Sequence, residues 1–308
     1  MKTLYTSDLH GEPHLYRELS ELAISSSAKI AVLGGDLLPS VRQIGQCRQM
    51  IPRQKNFIEQ FLRPFFKELI ETTTVRQIFL IPGNWDLGYP YLFEEPMEGL
   101  NDLSQKSYLL DNGFQLIGYP FVPPTPFWPK NYEKMGDTEA HWPPQPNPSY
   151  IRSPNRIDQL VAIDPSHYFR QQATIGDDLD GLPRPIDCNK TIYVMHSPPY
   201  GTGLDLVAGG QSVGSRSIRV FIETYQPLLT LHGHIHESPE ISGRYFDRIG
   251  NTLSVNPGQF TSCSKLHAVN FEMENSGETL HHTCFATRDS SHNFKFHANQ
   301  RKQSTRNS

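Results

Sequence analysis

The chain of 308 residues lacks the features that would place it in a membrane or in an oxidising compartment. Its start, MKTLYTSDLHG, has no apolar run long enough for a signal peptide. No segment approaches the roughly 20 apolar residues of a spanning helix. Cysteine is scarce: Cys47, Cys188, Cys263 and Cys284 lie far apart and form no C-x-x-C pair. Without a signal peptide they read as four free thiols in a reducing compartment, and a cytoplasmic location is expected. Positive charge is not in excess. A formal net charge of −4 gives no general reason to bind nucleic acid or an anionic membrane. Internal repeats are absent. Hydrophobic residues, at 37%, are lean but sufficient for the core of one large domain or two small ones.

Proline is what the chain has in quantity. Ten of its 25 prolines, and two of its three tryptophans, fall between residues 119 and 154. Proline at that density excludes helix and central strand, while the aromatics argue against a free linker. An ordered insert lying over the cleft of the domain is expected there, followed by a helix near Arg156–Gln172. The domain itself is expected to span residues 1–286, with 287–308 as a frayed polar tail.

Short apolar runs recur at Thr3–Thr6, Ile30–Leu33, Ile78–Ile81, Phe114–Tyr119, Ile192–Met195 and Leu228–Leu231. Such runs fit strands buried on both faces. Helical periodicity lies between several of them, over Glu12–Ile24, Gln54–Glu71 and Ser215–Tyr225, and Pro64 is expected to kink or split the second. Beyond residue 240 the pattern turns to consecutive strands, which predicts a hairpin meander. Together these predict two sheets packed face to face with helices outside.

The ends of the strands carry the chemistry. Asp8 and His10 follow the first run, Asp36 the second and Asn84 the third, while His196, His234 and His236 follow the later two. In open α/β sheets, ligand sites assemble at the carboxyl ends of strands. Seven oxygen and imidazole donors converging there would carry a heavy desolvation penalty without a cation. They are too many for one ion and suit two that share a carboxylate. Asp, His and Asn without Cys point to Mn, Fe, Zn or Co rather than calcium or a thiolate zinc site.

The ordered set Asp-x-His, Gly-Asp, Gly-Asn, His and Gly-His-x-His resembles the calcineurin-like metallophosphoesterase family, over Asp8 to His236. HSPPYGTGLD and the stretch ending LHGHIHES resemble a bacterial and archaeal branch of uncharacterised phosphoesterases. The resemblance implies a four-layer α-β-β-α sandwich of two mixed sheets with flanking helices. It implies that one metal takes Asp8, His10 and His236, that the other takes Asn84, His196 and His234, and that Asp36 bridges them. It also implies hydrolysis of a phosphodiester or phosphomonoester, in which two ions lower the pKa of a bridging water and hydroxide attacks phosphorus. The stretch GGDLLPSVRQ lacks the arginine-bearing loop of the protein phosphatase branch, and nucleic acid is not an expected partner. A non-catalytic interaction module with structural metals, as in a retromer subunit resembling this family, is the alternative.

One departure stands out. The family motif has histidine after Gly-Asn, assigned to leaving-group protonation or transition-state stabilisation, and this chain has Trp85. An indole N–H donates a hydrogen bond but transfers no proton at neutral pH. Trp85 is read first as packing beneath the insert, and second as an aromatic wall for the leaving group. Ser215 reads as a helix N-cap, beside Arg216 or Arg219 as partners of a distal phosphate. Tyr200 lines the pocket or fixes its turn. His14 and His141 are weak candidates for the missing acid, and the His281–His282 pair is expected to be structural.

Overall fold

The three strands that lead into Asp8, Asp36 and Asn84 run parallel and side by side, and this arrangement positions the site. The computed structural model describes residues 1–136, 143–259, 265–273, 279–284 and 294–295. Its first sheet holds seven strands in the order Phe294–Lys295, Thr279–Cys284, His267–Glu272, Lys2–Thr6, Ile30–Leu33, Gln77–Leu80 and Leu100–Asp102. The last four are mutually parallel. The second sheet holds six, in the order Phe246–Ile249, Thr252–Val255, Leu229–Leu231, Thr191–Met195, Gln115–Tyr119 and Ser107–Leu109, with antiparallel strands at both edges.

Residue alternation along the strands decides which layer each side chain enters. In the first sheet Tyr5, Ile30, Val32 and Phe79 face the second sheet, where they meet Leu116, Ile192, Val194 and Leu231. Their neighbours Leu4, Ala31, Leu33 and Ile78 face outward onto helices. Ile117, Tyr119, Tyr193 and Met195 face outward from the second sheet, against Ile175, Ile218 and Ile222 of the helices Ile175–Gly181 and Arg216–Tyr225. The result is the expected four-layer α-β-β-α sandwich, built on two mixed sheets. The helix Pro13–Ser26 buries Leu15, Leu19 and Leu22 at helical spacing, with Pro13 at its first turn and Ser27 left-handed at its end.

Two expectations need correction, and two others can be placed. Pro64 lies where its α-helix is interrupted, as expected: Met50–Phe57 gives way to a π turn, Ile58–Leu62, and Arg63–Thr72 begins with Pro64 in its first turn. A π turn re-registers the hydrogen bonds and so accommodates the missing amide. Residues 156–172 are not one helix. Ser149–Arg152 and Leu160–Ile163 pair as a hairpin, and a short helix, Pro165–Arg170, starts at Asp164, whose carboxylate caps Ser166 and His167. The strands after residue 240 are not one meander, since Thr252–Val255 belongs to the second sheet and His267–Glu272 to the first. The insert is also tied into the core. Trp128 is buried and donates its indole N–H to the Val41 carbonyl at 2.9 Å.

Cys47 and Cys188 are free thiols. The side chains of Cys263, Cys284, His281 and His282, all of His141, and the proposed tail other than Phe294–Lys295 lie outside the described residues. Among the described residues no helix is long and apolar enough to cross a membrane.

Candidate metal centre

The loops after the first two strands are laced together by their backbones. The Asp8 amide donates to the Gly35 carbonyl at 2.9 Å, and the His10 amide to the Asp36 carbonyl at 2.8 Å. The third loop joins through side chains. The Trp85 amide donates to Asp36 Oδ1 at 2.8 Å. Asp86, fully buried, accepts from the amides of Gly83, Leu37 and Leu38 at 2.9–3.0 Å. Gly83 must be glycine, because a Cβ there would collide with the Asp36 carboxylate. The second sheet supplies its share by the same means. The Gly233 amide donates to the His196 carbonyl, and the His234 amide donates to the Asp8 carboxylate.

Six of the seven expected donors therefore meet. Asp8, His10, Asp36 and His236 form one group, and Asp36, His196 and His234 form another, with the donor atoms of each group within 4.8 Å of one another. Asp36 belongs to both. His236 Nε2 lies 3.2 Å from Asp8 Oδ1 and 3.1 Å from His10 Nε2, so three ligand atoms crowd a single point. Asn84, the seventh, lies next to Trp85, whose amide binds Asp36, and is fully buried. Neither of its side-chain polar atoms has a hydrogen-bond partner among the described residues. A buried amide in that state costs about 1–3 kcal/mol unless something else satisfies it.

The residues fit a cation. His196 Nδ1 lies 2.7 Å from the Gly34 carbonyl, which can only accept, so Nδ1 carries a proton and Nε2 is the ring atom turned to the cluster, 3.5 Å from Asp36, where a cation would displace any proton it holds. That Nε2 is also buried without a hydrogen bond. Burial opposes charge on every member, and the neighbours decide the rest. Burial holds His10 down at about 4 and His234 at about 3, so both are neutral imidazoles ready to donate lone pairs. On His196 burial is outweighed by Asp36, which pushes it up to about 9. The Asp8 carboxyl is held well below its ordinary range, burial being overcome by His236 first and then by His196 and His10. Asp86 is raised to about 7 by burial and by Asp36, with its three amide donors pulling the other way.

A cavity of about 910 Å³ opens beside the cluster. His10, Asp36, His234 and His236 line it where it meets the cluster, and Trp85 enters its lining. Trp85 is nonetheless 5% exposed, within the core, against Phe127 at 5.3 Å and Trp128 at 6.0 Å. It packs beneath the insert and walls the cavity at the same time. Tyr200 and Arg216 also line the cavity, with the guanidinium 3.6 Å above the phenol ring. Ser215 caps its helix as expected, accepting from the Ile218 amide, and Arg219 turns away to pair with Glu223. His14 lies outside the cavity lining and faces Glu12.

Three supporting residues carry no motif and escape sequence reasoning. Gln54 is buried on its helix, donates to the Trp85 carbonyl at 2.7 Å and accepts from the Gly88 amide at 2.6 Å. Asp205 accepts from the amides of Gly201, Thr202 and Gly214 and so shapes the loop over the cavity. His232 is buried, with Nδ1 at 2.9 Å from the Ser197 carbonyl and 3.0 Å from that of Met195. Asp86 had a signal, its fixed place two residues beyond Asn84.

Fold and donor cluster are of the calcineurin-like class. The chain matches the model of the calcineurin-like phosphoesterase family over residues 1–238 and belongs to that family. Its structure is similar to a dimetal phosphatase from Danio rerio, with a TM-score of 0.52 at 8% identity, covering 92% of this chain and 95% of the other. A second solved structure aligns with a TM-score of 0.58 at 18% identity, covering 91% and 98%. The TT1561 protein of Thermus thermophilus aligns at 0.47 and 17% identity, covering 84% and 89%. No curated protein matches the chain in sequence.

Proposed function

We propose that this chain is a cytoplasmic hydrolase of phosphomonoesters or phosphodiesters that works with two divalent ions. One observation carries the reading. Asp8, His10, Asp36 and His234 all hold left-handed backbones, with φ of 63°, 45°, 53° and 68°. Non-glycine residues there cost on the order of 1–3 kcal/mol each. Four such residues in one cluster point to a function that needs their side chains aimed together.

Asp8, His10 and His236 would hold one ion, and Asn84, His196 and His234 the other, with Asp36 shared. The donor set suits Mn, Fe, Zn or Co. When bound, such a pair supplies Lewis-acid charge to phosphoryl oxygens and makes a water acidic enough to attack near neutral pH. The chain's own residues do the positioning. The Gly34 carbonyl orients His196, and Asp86 clamps the Asp36 and Asn84 loops to each other. Trp85, Tyr200 and Arg216 would bind the rest of the substrate, a phosphorylated small molecule or a phosphodiester.

The test is turnover of p-nitrophenyl phosphate and bis-(p-nitrophenyl) phosphate by protein loaded with each of the four metals. Activity should fall by on the order of 10²-fold or more in Asp36→Asn. No turnover of either ester with any of the metals would overturn the reading and leave a non-catalytic module.

A further inference from the structure

The cavity is larger than a phosphoryl group needs. About 910 Å³ is within the range of pockets that enclose whole small molecules. Beyond the metal-ligand candidates its lining includes the rings of Trp85, Phe127 and Tyr200, together with polar Arg42, Gln211 and Glu237. A substrate that fills it carries a phosphoester at the cluster and an arm that reaches those rings.

Two features say what kind of arm. Phe127 is 42% exposed although it packs on Trp85, so part of its ring stays open at the cavity. Arg216 is exposed at the cavity, forms no ion pair among the described residues, and spends one face of its guanidinium on the Tyr200 ring. An arginine held flat by a tyrosine offers a second planar cationic face, which suits a π system better than an alkyl chain. Indole and phenyl rings offer the matching offset or edge contacts.

We infer that this cavity selects phosphoesters whose arm is a planar aromatic ring, a nucleobase or an aryl group, received by the Trp85–Phe127 wall and the Arg216–Tyr200 pair. The inference rests on the phosphoesterase reading, because it takes the phosphoryl group to lie at the cluster. Prolines around Phe127 limit the motion of its segment, so the ring face is offered at low entropic cost. Stacking on such a platform is sequence-tolerant, so several ring systems should be accepted.

Calorimetric titration of the Mn²⁺-loaded protein with three non-hydrolysable probes separates the two ideas. Methylphosphonate reports the phosphoryl site alone. Phenylphosphonate adds a planar ring, and cyclohexylphosphonate adds one of similar size that is not planar. Phenylphosphonate should bind about tenfold more tightly than methylphosphonate, with cyclohexylphosphonate between them. Phe127→Ala should bring the ratio close to one without changing methylphosphonate affinity. Arg216→Lys, which keeps the charge and loses the plane, should lower the ratio as well. Both positions are exposed, so loss of folding is not the expected outcome. Methylphosphonate binding with no aryl preference, or a preference that survives both substitutions, overturns the aromatic arm and leaves the phosphoesterase reading standing. Equal affinity for cyclohexyl and phenyl probes overturns the planar selection. No binding of any probe, together with no cleavage of nitrophenyl esters, overturns both.

Discussion

Trp85 stands where the resembling motif carries histidine, and its setting explains how the loop tolerates the exchange. The side chain packs on Phe127 and Trp128, its amide binds Asp36, and its carbonyl receives Gln54. Loop geometry therefore depends on the backbone at this position, while the ring serves the core and the cavity. No proton donor is offered here, so a leaving group must depart as its anion unless water supplies the proton. General acid catalysis is worth about 10²–10⁴-fold, and its absence weighs most on basic leaving groups. The wild-type rate should thus fall steeply with leaving-group pKa, with nitrophenyl esters cleaved and simple alkyl esters nearly inert. Trp85→His should flatten that dependence and raise alkyl turnover more than aryl turnover. It should also lower stability, since removing a buried tryptophan ring down to alanine costs roughly 3–5 kcal/mol and imidazole recovers part of that. Similar single-turnover rates for alkyl and nitrophenyl esters in the wild type would show that another group gives the proton. The exchange itself was legible in the sequence. Its consequence for packing was not, because Gln54 and Phe127 reach Trp85 from segments far away in the chain.

At the scale of elements, the proline-rich insert shows what composition can and cannot reveal. Its order was readable from its aromatics, since rings on a free linker would be left in water. Its depth was not. Trp128 packs in the same cluster as Leu37, Leu38 and Trp85, so the segment completes the core on that side. Trp128→Ala should cost roughly 3–5 kcal/mol and lower the melting temperature by roughly 5–8 °C, an effect scanning calorimetry would resolve. An unchanged melting temperature would return the insert to the status of a detachable cover. The same segment buries an ion pair, Lys130 with Glu133 at 2.9 Å, both at zero side-chain exposure. Burial lifts the Glu133 carboxyl to about 7 from its ordinary 4.5, against the pull of Lys130 and Thr125. The folded chain then keeps a proton that the unfolded chain has released. This group's contribution to stability is full below about 4.5 and is lost as the pH rises toward 7. Urea unfolding should show the wild type losing stability relative to Glu133→Gln across that window. A constant difference between the two would contradict it. The helix expected at 156–172 failed for a related reason: Asp164-Pro165 starts a helix locally, but strand pairing claims the residues before it.

On the scale of the whole molecule, the site is a property of two sheets and not of either alone. Asp8, His10, Asp36 and Asn84 follow strands of the first sheet, and His196, His234 and His236 follow strands of the second. This is why so much of the site could be read from sequence: each donor comes just after an apolar run, and parallel strands bring those ends to one edge. The supporting residues could not be read that way, because Gln54, Asp205 and His232 act through backbone groups that have no sequence signature. The division between sheets has a physical consequence. Under the proposed assignment each ion takes ligands from both sheets, so binding should fasten the two layers together. An ion that binds only the folded chain stabilises it by about 2.7 kcal/mol at a hundredfold excess over its Kd. Mn²⁺ should therefore raise the melting temperature of the wild type, and a chelator should reverse the rise. His196→Ala removes a ligand from one group and should retain close to one ion per chain by mass spectrometry. Asp36→Asn weakens the carboxylate that both groups share, so it should lose both ions and most of the thermal gain. Two ions bound per chain in Asp36→Asn, with the wild-type shift in melting temperature, would mean that the groups are independent and that Asp36 bridges nothing.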